Sequence, residues 1–259
     1  MEALFADYLR GEDMLFKHAR GSSDRSGKEF HVYHEIILFL GGAAEFITED
    51  LHMQLKEPTL IVIPGQTYHQ MVIHGEQEQY YRCVLQFSDS AVPAALVETS
   101  LQKVRAVGAD REIRYLFDKL IRAAKADRAH TPQVLRSVLV LLLDALTVPG
   151  DMTEVNHHQN ETVRMAVDYI NRHLSQPLTV HAVAQACNLS ESSLSHIFKK
   201  EMYISVHKFI VKKRLIAAYH KISAGEAATA AAEECGFRDY SGFYKQYKKA
   251  FGVPPSQRQ

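Results

Sequence analysis

Only three cysteines occur in the 259 residues, Cys83, Cys187 and Cys235, and no two stand in a C-x-x-C spacing. An odd, widely spaced set excludes a disulfide framework and a cysteine zinc site, and it points to a reducing, cytoplasmic setting. Long apolar runs are also missing: the longest, Val138 to Leu143, falls far short of the roughly 20 residues that span a bilayer. The first residues, Met1 to Asp7, carry no basic stretch ahead of an apolar one, so no secretory signal is expected. Net charge is missing too, with 30 Lys+Arg against 30 Asp+Glu. Taken whole, that balance argues against a polyanion-coating protein or a basic membrane-surface binder. What is present, 46% hydrophobic and 23% charged residues, describes an ordinary globular chain of one large or two smaller domains.

The zero charge is a cancellation. Pro149 to Asn160 breaks the apolar pattern with Pro-Gly-Asp and Asn-His-His-Gln-Asn and reads as a linker over 150–160. Residues 1–156 hold 16 Lys+Arg and 22 Asp+Glu, a net of −6; residues 157–259 hold 14 and 8, a net of +6. A basic domain joined to an acidic one is the asymmetry of a chain that touches a polyanion with one part.

Periodicity divides the chain in the same way. From Met14 to Phe87, short β-type runs such as Glu35 to Leu40 and Thr59 to Ile63 alternate with turn signals at Gly41-Gly42 and Pro64-Gly65, which predicts a small barrel or sandwich. Ile113, Leu116, Phe117, Leu120, Ile121 and Ala124 then mark one face of a helix. Thr131-Pro132 opens a second helix, apolar around most of its circumference. Such a helix either packs on the barrel or forms a subunit interface.

The remaining third is helical and repeats itself. Val180 to Cys187, a short turn, and Glu191 to Met202 behind the N-cap Ser190 form one helix-turn-helix. Ala227 to Cys235, Gly236-Phe237, and a helix capped by Asp239 form another. The offset is 48 before the turn (Ala184/Ala232, Cys187/Cys235) and 49 after it (Leu194/Phe243, Phe198/Tyr247). A long helix from Val206 to Ile222 joins the two. Two recognition helices about 34 Å apart would read successive major grooves from one face of a duplex.

These residues carry a resemblance. Residues 160 to 258 resemble the DNA-binding domain of AraC/XylS-type transcriptional regulators, through LSESSLSHIFKKE from Leu189, Arg214 with Ala218, and CGFRDYSGFYKQYKKAFGVPPSQR from Cys235 to Arg258. Three departures stand out: Tyr203 in place of the usual Gly, Gly242 where an aromatic is common, and Ala228 and Ala231 in place of larger aliphatics, which predicts a thin second core. The first half resembles the cupin-like sensor barrel of such regulators, and the helix pair after it matches their dimerisation region. The resemblance implies an α+β two-domain protein: a barrel over 1–107, dimerisation helices over 108–149, and a double helix-turn-helix over 161–259. It implies a homodimer that binds promoter DNA under control of a small-molecule effector and activates by touching RNA polymerase, with no enzymatic activity and no cofactor.

Site residues follow from position. Exposed residues early in the recognition helices should read bases: Ser192, Ser193, Ser195 and His196 in the first, Arg238, Ser241, Tyr244 and Lys245 in the second. Lys199, Lys200, Lys212, Lys213, Lys248 and Lys249 should meet phosphates, which position the protein without reading sequence. Glu35, Phe39, Tyr68, His69, Tyr81 and Arg82 are the effector-pocket candidates, although strand alternation must send some of them outward. The cupin resemblance makes His31, Glu35 and His69 the residues that would hold a metal, and since sensors of this family usually lack one, none is expected. Two rival readings are a metal-dependent cupin enzyme with an appended helical domain and a protein-interaction module without a DNA role.

Overall fold

The computed structural model describes residues 5–21, 26–29, 31–76, 79–126, 130–147 and 159–256. Most of the predicted linker, residues 150–158, lies outside them. The chain divides into two compact units, residues 1–46 with 53–157, and residues 47–52 with 158–259.

Unit 1 is built on ten strands: β1 (Phe5–Arg10), β2 (Met14–Arg20), β3 (Ser26–Glu29), β4 (His34–Gly41), β5 (Ala43–Thr48), β6 (His52–Leu55), β7 (Thr59–Ile63), β8 (His69–His74), β9 (Tyr81–Phe87) and β10 (Arg105–Gly108). They form a six-stranded sheet, β1-β2-β9-β4-β7-β10, and a four-stranded sheet, β3-β8-β5-β6. Alternation along β4 assigns its residues to two cores. Ile36 and Leu38 face one cluster with Phe16, Leu60 and Leu85; Ile37 and Phe39 face another with Phe46, Ile61 and Met71. The second cluster is the interior between the sheets. The first lies on the outer face of the six-stranded sheet, beneath α1 (Ala94–Ser100), α2 (Arg111–Ala126) and α3 (Thr131–Ala145).

The greasy third helix therefore packs on the barrel. Leu135, Val138, Leu139, Leu142 and Leu143 are buried there, while Leu141 stays 52% exposed. Arg105 ties the end of this helix to β10 by donating from Nη1 to the Leu146 carbonyl at 2.8 Å.

Unit 2 contains α4 (Glu161–Arg172), α5 (Val180–Ala186), α6 (Glu191–Met202), α7 (Val206–Ser223), α8 (Ala228–Glu234) and α9 (Tyr240–Phe251). Asn160, Thr179, Ser190, Ser205 and Asp239 cap α4, α5, α6, α7 and α9 through their side chains. Each bond satisfies an amide that the helix itself leaves unpaired. Ala227, before α8, has no such side chain.

The sequence repeat reappears bond by bond. Leu189 N–H donates to Ala184 O at 2.9 Å, and Phe237 N–H donates to Ala232 O at 3.0 Å. The turn residues Asn188 and Gly236 both have positive φ, 56° and 83°, and so do the residues closing the second helices, Tyr203 at 52° and Gly252 at 76°. Tyr203 thus adopts the conformation that glycine takes without steric cost.

The expectation of a thin second core is corrected. Ala231 and Ala232 are buried beside Phe243 and Tyr247, with Phe237, Tyr219 and Phe251 packed around them. Tyr247 and Phe251 lie 4.5 Å apart between ring centroids, and Tyr219 and Phe251 4.8 Å. Rings fill the volume that small side chains on α8 leave open.

Candidate nucleic-acid interface and sensor site

In unit 2, helical period places the core and contact residues on opposite faces. Leu194 and Phe198 of α6 are buried, and Ser192, Ser193, Ser195, His196, Lys199 and Lys200 are exposed. The serines differ in what they offer. Ser192 and Ser193 place their hydroxyls 3.0 and 2.9 Å from the Ser190 hydroxyl, inside the cap, whereas Ser195 and His196 stand on the next turn. His181 Nδ1 lies 3.0 Å from Glu191 Oε1 and joins α5 to the start of α6.

In α9, Phe243 and Tyr247 are buried; Ser241, Lys245, Lys248 and Lys249 are exposed, Tyr244 is half-buried, and Arg238 is exposed just before the cap. Asp239 accepts from the amides of Ser241 (3.1 Å) and Gly242 (2.7 Å). A Cβ on Gly242 would sit 2.7 Å from Asp239 Oδ2, so glycine here permits the tight cap. Lys199, Lys200, Lys248 and Lys249 occupy last turns, where cations also suit the helix dipole. Lys212 is half-buried on α7. Lys213 Nζ lies 2.8 and 2.9 Å from the two carboxylate oxygens of Glu49, a residue of the same unit.

Arg214, part of the family resemblance, has a structural task. Its Nε donates to Leu174 O at 3.0 Å, Nη2 to Gln176 O at 2.7 Å and Nη1 to Gly236 O at 2.9 Å. One guanidinium on the linking helix α7 therefore pins both the segment before α5 and the turn after α8. A five-donor planar fork suits that task where a lysine would not.

In unit 1, the interior brings together part of the predicted pocket. Glu35 and Phe39 of β4 point inward, as does His69 of β8. Gln86, which sequence reasoning missed, is the cross-strand neighbour of Glu35 and donates from Nε2 to Glu35 Oε1 at 3.0 Å. Tyr68 is fully buried and donates from its hydroxyl to Gln70 Oε1 at 2.9 Å. Arg82 donates to Gly21 O at 2.7 Å and lies over the Tyr80 ring. Tyr81 does not join this group. Alternation on β9 turns it to the opposite face, where its hydroxyl lies 2.7 Å from His18 Nε2.

Glu35 is 1% exposed, and its Oε2 lies 3.1 Å from His69 Nε2 and 3.4 Å from His31 Nε2. Burial alone would raise its carboxyl, but His31 and His69 outweigh burial and hold it well below the usual carboxylate range. The interior thus carries an ionised carboxylate between two imidazoles, beside an apolar cluster.

The pattern of sheets, outer helices and repeated helix pair has known counterparts. Residues 13–143 match the model of the AraC-like ligand binding domain, and residues 183–259 match a helix-turn-helix domain model. The chain belongs to the AraC family. Among relatives, the Probable transcriptional regulator LumQ of Photobacterium leiognathi is 28% identical over 36% of this chain and 38% of its own length. The Uncharacterized HTH-type transcriptional regulator YobQ of Bacillus subtilis is 23% identical over 87% of this chain and 85% of its own. The C-terminal domain of AraT, a response regulator from Geobacillus stearothermophilus, aligns in structure with TM-score 0.36 and 34% identity, covering 38% of this chain and 83% of that one. YobQ apart, the match spans about half the length, or less, of LumQ and the other curated relatives. Among the described residues, no helix is long and apolar enough to cross a membrane.

Proposed function

We propose that this chain is a transcriptional regulator that binds double-stranded promoter DNA through α6 and α9. The observation that carries this reading is the repeated, cap-anchored helix pair, whose second helices each bury aromatic or aliphatic residues and expose polar and basic ones. Lys199, Lys200, Lys248 and Lys249 supply phosphate contacts; Ser195, His196, Arg238 and Lys245 supply base contacts. The barrel holds a small-molecule effector near Glu35, Phe39 and His69, and the effector shifts the population of DNA-binding conformations. The dimer forms through the 108–149 helices, supported by the exposed Leu141 on α3. The chain acts in the cytoplasm, not as an enzyme, and activates through RNA polymerase.

Sequencing the genomic fragments that the purified chain retains tests this reading. Fragments sharing two half-sites one helical turn apart are the expected result; retention without any common sequence contradicts it. The buried Glu35 cluster supports a second reading, a metal-dependent enzyme, which would show turnover and no retained DNA.

A further inference from the structure

The interior of the barrel contains a cluster whose hydrogen-bond chemistry does not close on protein groups alone. His69 Nδ1 lies 3.0 Å from Thr67 O, and His31 Nδ1 lies 2.8 Å from Tyr33 O. A carbonyl oxygen only accepts, so both Nδ1 atoms carry hydrogen. In a neutral ring the remaining nitrogen, Nε2, is then the lone-pair atom. Both Nε2 atoms are turned to Glu35 Oε2, the oxygen that Gln86 does not use. Two nitrogen lone pairs and a carboxylate oxygen thus converge.

The contact between His69 and Glu35 is at ion-pair distance, yet neither His69 Nε2 nor Glu35 Oε2 makes a hydrogen bond among the described residues, although both are buried. Electron pairs facing one another at this range, with the Phe46 ring tilted 6.3 Å from the His69 ring, are reconciled by a proton or by a metal cation between them.

We propose that His31, Glu35 and His69 form a binding site for a divalent first-row transition-metal ion. Their donor atoms all lie within 4.8 Å of one another. Bonds of about 2.0–2.2 Å to a tetrahedral ion would set neighbouring donors about 3.3–3.6 Å apart. The His31–Glu35 separation of 3.4 Å sits at that spacing, and the His69–Glu35 separation of 3.1 Å falls just short of it. The surroundings also have the form of a metal site, in which each ligating imidazole donates its other N–H outward and the ligating carboxylate is itself hydrogen-bonded. Two nitrogens and one oxygen select zinc, iron(II), cobalt(II) or nickel over magnesium or calcium, which take oxygen ligands. Three protein ligands leave a coordination position for water or for an oxygen atom of a small ligand. The site stands whether or not unit 2 reads DNA.

The test is a cobalt(II) titration of the full, untagged, chelator-treated chain, following ligand-field absorption, with zinc(II) added afterwards as competitor. The expected result is one cobalt per chain, displaced by one zinc. Glu35→Gln, which keeps shape and removes charge, should weaken cobalt binding by at least about 100-fold, beyond the roughly 10–100-fold typical of losing an outer partner. His31→Gln, at a partly exposed position, should do the same, and His74→Ala, at an exposed histidine, should leave binding unchanged. The wild-type chain decides the question even if a variant fails to fold. Absence of a saturable cobalt spectrum, or equal binding by folded Glu35→Gln, would overturn the site and indicate a protonated histidine in the cation's place.

Discussion

Single residues hold unit 2 in shape, and their roles can be measured one at a time. Gly236 has φ of 83°, and a Cβ there would meet Arg214 Cζ at 2.8 Å. Gly236→Ala should therefore cost more than the roughly 1–2 kcal/mol of left-handed strain alone, because the guanidinium must also move. Arg214→Lys should cost about 2–3 kcal/mol, since the bonds lost are charge-assisted. Chemical denaturation of the two variants checks both values, and a Gly236→Ala chain as stable as wild type would refute the packing argument. Cys83 offers a prediction for unit 1. Burial, reinforced by the Asp118 carboxylate and opposed by Arg82, pushes its thiol up to about 12. A raised folded value means that its stability contribution is complete below the unfolded pKa of about 8.5 and drains as pH rises toward the folded one. Wild type should lose more stability than Cys83→Ala across that alkaline window, as read from denaturation midpoints; parallel curves would contradict the assignment.

At the scale of elements, helices were more legible than strands. Ser190 and Asp239 announce α6 and α9 because a cap is a local bond between residues two or three apart. The strands β1, β3 and β10 went unread. Ser26 to Glu29 contains no apolar residue at all and becomes a strand only by pairing with β8. Glu35 and His69 were grouped from the sequence, but Gln86 was hidden for the same reason: it joins them from β9, and which face a strand residue takes depends on register, as Tyr81 shows. The two ends of α9 make a separable prediction. Lys245 stands where base edges are read and Lys248 one turn later, where phosphates are met. Lys245→Ala should relax base preference at one or two positions, and Lys248→Ala should weaken all sequences alike. Binding selections with randomised duplexes distinguish these outcomes, and identical profiles would dissolve the division of roles.

Over the whole molecule, the balance of 30 basic and 30 acidic residues conceals two units of opposite character. The acidic one encloses a buried carboxylate, and the basic one presents repeated helices with lysines at their ends. This division could be read from the sequence by counting on either side of residue 156. The pairing of Lys213 with Glu49 could not, because the two are 164 residues apart. The central claim is that the basic unit binds DNA by neutralising phosphates from α6 and α9. The most direct test is the salt dependence of duplex binding by the full chain and by Lys248→Ala/Lys249→Ala. The account predicts a steep fall of log affinity with log salt, with a slope shallower by about two units in the double variant. An affinity indifferent to salt, or a slope that the double variant leaves unchanged, would contradict it.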